Sequence, residues 1–124
     1  MAKLVFGYPF MQKEYLLREK DEFYIGRMNS NDITIPDYNL FSRLSLAFQK
    51  EMVKELMKVS RIHARIIKQE GEWYIEDVGT TGEGSNYGTF INDEQIETKN
   101  LYPLKDNDKI RLGPLECAFF LEQE

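Results

Sequence analysis

The sequence predicts an all-β protein, an antiparallel β-sandwich carrying one inserted α-helix at about residues 41–58. Three observations point there: many short segments rich in β-branched and aromatic residues, turn-formers spaced between them, and a single long segment without Gly or Pro. The 124 residues suit one domain spanning 1–124. A domain of that size buries about two-thirds of the surface its unfolded chain exposes, without needing disulfide or metal staples.

Segments 3–6, 15–18, 23–25 and 33–35 read as strands, separated by turn-formers such as Asp21 and the polar stretch 29–32. Further on, Ile62, Ala64 and Ile66 alternate with His63, Arg65 and Ile67, the period of a strand with one buried face. A turn at 69–71 leads into a returning strand at 73–75, and the Gly, Thr and Ser content of 79–86 marks a loop. Strands follow at 89–91, 110–112 and 117–121. Many short strands joined by turns fit a sandwich or barrel and not a chain of βαβ units.

Segment 41–58 is rich in Leu, Met, Lys and Glu, all good helix formers. At 100° per residue, Phe41, Leu44, Phe48, Met52 and Leu56 make one apolar stripe, and Leu46, Val53 and Met57 widen the arc. Arg43, Lys50, Lys54 and Lys58 share the opposite face. Asn39 or Ser42 is the expected cap.

A net charge of -5 and a pI near 5.0 argue against a general nucleic-acid partner, which needs a broad basic patch to displace counterions. Basic surface is therefore expected to be local. The single Cys117 has no internal disulfide partner and lies in the apolar run 117–121, where a buried inert thiol is expected. That fits a reducing, cytoplasmic setting. No apolar run reaches the roughly 18–20 residues of a membrane span, and residues 1–10 lack the pattern of a secretion signal, so no membrane partner is expected.

Function is concentrated in four fragments that occur in order. Gly26-Arg27 follows a strand, Ser60-Arg61-Ile62-His63 opens another, Asn86-Tyr87-Gly88-Thr89 lies in a loop, and Asn92 comes three residues later. A phosphate ester carries about -1.5 to -2 charge at neutral pH on strongly accepting oxygens, and so requires cations and directed donors. Arg27 offers a planar fork of donors that a lysine lacks. Ser60 offers a hydroxyl and a backbone N–H, Arg61 a second charge at the rim, and Asn86 a carboxamide that both donates and accepts.

Together the four fragments closely resemble the forkhead-associated (FHA) domain family. The resemblance covers nearly the whole chain, because 33–37 and Leu104, Asp108, Ile110, Leu112 and Gly113 also match that family. It implies an FHA-type sandwich that binds phosphothreonine-containing protein segments, with Arg27, Ser60, Arg61 and Asn86 as the phosphopeptide contacts. It also implies that His63 steadies the loops, as a lone strand histidine usually does by hydrogen bonding. Gly26, Gly88, Thr89 and Asn92 are likewise expected to be loop architecture, Gly88 by allowing a backbone angle that other residues resist.

The sequence departs from the family pattern twice. Tyr87 stands directly before Gly88 where many members have Asn, which displaces Asn86 by one position, and the 41–58 segment replaces a short loop. This helix packs passively, adds a recognition surface beside the phosphate site or partly covers that site, and self-association through it is a second expected partnership. The alternative function is accordingly a phosphate-independent assembly module built on the helix or a sheet face.

Enzyme readings find little support, and neither cofactor nor metal is expected. The glycines of 79–84 have nucleotide-loop spacing, but Ser85 follows where a lysine belongs. One His and one Cys do not make a His/Cys zinc site. On a strand, Ser60 and His63 at i and i+3 face opposite sides, against a nucleophile and base pair.

Overall fold

The structure, a computed structural model, describes residues 1–122. Among the described residues, eleven strands form two sheets. The first orders β2 (Glu14–Leu17), β1 (Ala2–Val5), β11 (Leu115–Leu121), β10 (Asp108–Leu112), β7 (Thr89–Ile91) and β8 (Glu94–Gln95). The second orders β4 (Ile33–Thr34), β3 (Glu22–Gly26), β5 (Ala64–Gln69), β6 (Glu72–Asp77) and β9 (Tyr102–Pro103). The pairs are antiparallel except β3 and β4, which run parallel with Ile25 opposite Ile33. The expected sandwich is present with that one correction. It arises because the chain loops out at 27–32, where the Asp32 carboxylate takes the Tyr24 N–H at 2.7 Å, and re-enters in the same direction.

Alternation sets the core. Ala2 and Leu4, Ala64 and Ile66, Trp73 and Ile75, and Leu115, Cys117 and Phe119 are buried at every second position, so each strand gives one face to the interior. Trp73 packs edge-on against Phe119 at 6.5 Å between ring centroids, which joins the two sheets across the core. The Cys117 thiol lies in this core, where burial pushes its pKa up to about 12 and leaves it un-ionised.

The inserted segment is not one helix over 41–58. A short α1 (Tyr38–Phe41) is followed by α2 (Leu46–Leu56), and the caps are Asp37 and Ser45 in place of Asn39 or Ser42. Ser45 takes an extended ψ of 150° and its hydroxyl accepts the Phe48 N–H at 3.2 Å, so a local side-chain bond outcompetes helix continuation. The apolar stripe survives the break. Phe41, Leu44, Phe48 and Met52 pack on the core and Leu56 is buried, while Phe41 meets Phe10 edge-on at 6.3 Å.

After α2 the chain turns through 57–63 to reach β5. His63 was expected on a strand, but it precedes β5 and is fully buried, with Ala64 buried beside it. Its Nδ1 accepts the Ser60 N–H at 3.0 Å, which leaves the proton on Nε2 to donate to the Gly88 carbonyl at 2.9 Å. The neutral imidazole is thus specified from both sides.

Burial lowers the His63 pKa below its ordinary 6.5, outweighing the opposing pull of the Gly88 carbonyl and Asp77. The unfolded chain therefore takes up this proton first. The stability contribution is complete above pH 6.5 and erodes as pH falls from 6.5 towards the depressed native value. His63 is the sole histidine, so its ring resonances report directly. An NMR titration should place its pKa below 6.5, and denaturation midpoints should fall in the same pH range. Titration at or above 6.5 would contradict this environment.

Backbone crowding gives a second prediction. A Cβ on Gly26 would lie 2.3 Å from the Arg61 carbonyl oxygen, whereas one on Gly7 meets nothing within 4 Å. Gly26→Ala should cost about 1–3 kcal/mol in urea unfolding, against less than about 0.5 kcal/mol for Gly7→Ala.

Candidate functional site

The Arg27 loop and the Ser60 loop run side by side at one end of the sandwich. Arg27 N–H donates to the Ser60 carbonyl and Met28 N–H to the Arg61 carbonyl, both at 3.1 Å. This approach is possible because Gly26 has no side chain between them. The Asn31 carboxamide adds bonds to the Arg61 and Met28 carbonyls at 2.7 and 2.8 Å. Tyr38 of α1 donates its hydroxyl to the Arg27 carbonyl at 2.8 Å.

The third loop, 78–88, is shaped by Asp77 and by glycines. The buried Asp77 carboxylate accepts the Ser85 N–H at 2.6 Å and the Ser85 hydroxyl at 2.7 Å, and the same hydroxyl accepts the Gly88 N–H at 3.0 Å. Gly79, at φ +77°, lies so close to Gly84 that a Cβ would fall 2.0 Å from its carbonyl oxygen. The loop therefore folds back on itself, and the Asn86 N–H reaches the Ser60 hydroxyl at 3.2 Å.

These loops enclose a shallow depression of about 340 Å³. Arg27, Ser60, Arg61 and Asn86 line it together, joined by Met57, Thr80, Thr81 and Gly84. Among the described residues, no carboxylate lines it. The Arg27 Nε donates to the Val59 carbonyl at 2.5 Å, which orients the guanidinium, while its two NH2 groups have no protein partner among the described residues. The Ser60 oxygen accepts from Asn86, so its own proton is available to a ligand. An anchored guanidinium, a second arginine, three hydroxyls and a carboxamide suit an anion with several accepting oxygens.

Two expectations need correction. The Ser60 N–H does not face the depression, because the His63 ring consumes it. Nor do Ser60 and His63 sit on opposite faces of a pleat: both precede β5, and the turn brings the ring onto the Ser60 backbone. Asn86 lines the depression in spite of the Tyr87 displacement. Gly88 adopts φ +86° and Thr89 is buried. Asn92 is remote from the depression and ties β7 to β10, its carboxamide meeting Asp108 and the Lys109 N–H, each at 2.9 Å.

The sequence reading missed Thr80, Thr81, Asp77 and Met57 as parts of this end of the molecule. The Gly-Thr-Thr-Gly run was a signal for the first two. Among the described residues, no group of three or more His, Cys, Asp or Glu side chains is arranged to hold a metal.

The family model of the FHA domain matches residues 23–113, from β3 to just beyond β10, and so contains every loop of the depression. The probable E3 ubiquitin-protein ligase dma1 of Schizosaccharomyces pombe is 32% identical over 94 residues, which cover 73% of this chain and 29% of that protein. This chain thus spans under a third of that relative. The FHA domain of the CT664 protein from Chlamydia trachomatis superposes with a TM-score of 0.70 at 20% identity, covering 98% of each chain. The N-terminal FHA domain of Rad53p from S. cerevisiae, solved with a phosphothreonine peptide, gives a TM-score of 0.69 at 15% identity, covering 98% of this chain and 93% of that one. The structural likenesses establish the sandwich as the same fold, and the match to the family model over most of the sequence establishes that this chain belongs to the FHA domain family.

Proposed function

We propose that the depression binds a phosphothreonine-containing protein segment and that the chain, acting as one FHA domain, recruits phosphorylated partners. The observation that carries this reading is the Arg27 guanidinium, fixed through Nε to the Val59 carbonyl, with both NH2 groups without a partner, and no carboxylate lining the depression, among the described residues. The fork grips two phosphate oxygens, the Ser60 hydroxyl donates to a third, and Arg61 supplements the charge from the rim. Asn86 holds the peptide main chain beside them. Family members count among the readers of phosphorylated motifs that use arginine, and the Rad53p neighbour is solved with such a peptide. The preference for threonine over serine is carried over from that likeness.

Binding of phosphothreonine, phosphoserine and unphosphorylated versions of one peptide library tests the reading. The signal should depend on phosphothreonine. Arg27→Ala should weaken it by about 1.5–3 kcal/mol, roughly ten- to a hundred-fold. Arg27→Lys should restore only part of the loss, since lysine keeps the charge but lacks the Nε anchor and the fork. Equal binding of phosphorylated and unphosphorylated peptides would sink this function and favour a phosphate-independent assembly module.

A further inference from the structure

The edge strands of the two sheets are unequal. β4, β8 and β9 are two residues long, and Pro103 in β9 has no N–H to offer. β2 has four residues and no proline, and it pairs with a strand on one side only, β1. The Phe6 N–H donates to the Lys13 carbonyl at 2.9 Å, which fixes the phase of that pair. In an antiparallel ladder the residues that bond a given neighbour alternate, so Lys13, Tyr15 and Leu17 turn their backbone groups to β1. Glu14, Leu16 and Arg18 turn theirs outward, where no backbone group meets them among the described residues. The open run is bounded on both sides. The Gln12 N–H is taken up by the Tyr15 hydroxyl at 3.0 Å, and Glu19 leaves extended geometry at φ +74°.

The side chains at the same three positions match their own image. All three are exposed, Leu16 by 39%. The Lys3 ammonium lies between two carboxylates, Glu14 at 3.1 Å and Glu122 at 2.8 Å, so that cluster keeps one negative charge. Arg18 has no carboxylate partner among the described residues. A second β2 laid antiparallel on this edge, with a two-fold axis through Leu16, sets Leu16 against Leu16 and Glu14 against Arg18 at two symmetric places. Moving the axis to Glu14 or to Arg18 sets like charges opposite each other, which is destabilising. The charges that usually guard a sheet edge therefore select one register here.

We propose that β2 pairs with β2 of a second copy of this chain, joining two six-stranded sheets into one. The reciprocal match of Glu14 and Arg18 selects a second copy over an unrelated extended segment. No residue of β2 lines the depression, so the pair presents two open depressions whatever ligand fills them. A contact of so few residues a side is small, and the association is reversible.

Sedimentation equilibrium of the chain at up to about 1 mM should show monomer and dimer in exchange. Glu14→Arg and Arg18→Glu should each weaken the dimer about ten-fold or more, since each sets like charges opposite at two places. Mixed in equal amounts, the two variants should regain the parent's dimer, because the reversed charge of one then faces the reversed charge of the other. Deuterium exchange at the Leu16 amide of the parent should slow as its concentration rises. A parent that stays monomeric, variants that dimerise as the parent does, or a mixture that remains monomeric would each overturn the pairing. So would protection that falls on α2 and not on β2, since the contact would then lie at the exposed Leu46 and Val53.

Discussion

The buried His63 imidazole is the point from which the loops at this end of the sandwich take their positions. Its ring accepts the Ser60 N–H and donates to the Gly88 carbonyl, its backbone N–H reaches Ile25 at the end of β3, and its carbonyl receives the N–H groups of Val78 and Gly79. One residue therefore connects β3, the Ser60 turn, the 78–88 loop and the Gly88 turn. Each of those bonds is shielded from water, so leaving any partner unmet costs about 1–3 kcal/mol. Both ring nitrogens are engaged in the neutral form, which makes the arrangement intolerant of a proton as well as of substitution.

From that fixed point the depression acquires its electrostatic character. The protein is acidic overall, and several of its cations are spent on carboxylates: Lys3 on Glu14 and Glu122, Lys20 on Asp32, Arg65 on Glu22 and Glu76, and Lys99 on Glu83. Arg27 and Arg61 have no such partner among the described residues, and no carboxylate lines the space between them. Holding Arg27 by its Nε means that its fork is oriented before any ligand arrives, so less side-chain entropy is lost on binding. The inserted segment adds to the same end, because α1 supplies the Tyr38 brace on Arg27 and the turn after α2 supplies Val59, Ser60 and Met57.

Much of this was legible in the residues. Alternation revealed most of the strands, since a half-buried strand must show period two, and the order of Gly26-Arg27, Ser60 to His63 and Asn86 to Thr89 marked the loops that meet. The two-residue strands β8 and β9 escaped because a pair of residues has no period. The break between α1 and α2 escaped because it depends on one Ser45 hydroxyl capturing one backbone N–H, which composition does not express. The inward commitment of the Ser60 N–H was equally hidden, since the chain enters regular strand geometry only after His63. Thr80 and Thr81 reach the depression through the back-folding of Gly79 onto Gly84, a tertiary event rather than a local preference.

On the proposed function, a pre-oriented Arg27 and its neighbours receive a phosphate. A proton–nitrogen NMR titration with a phosphothreonine peptide and its unphosphorylated twin tests this most directly, because it reads the whole surface at once. Only the phosphorylated peptide should shift resonances, with the largest changes at the Arg27 Nε–H and the amides of Arg61, Thr80, Thr81 and Asn86. Equal shifts from both peptides, or changes centred on the groove around Ile96 and Tyr102 with Arg27 unmoved, would contradict it.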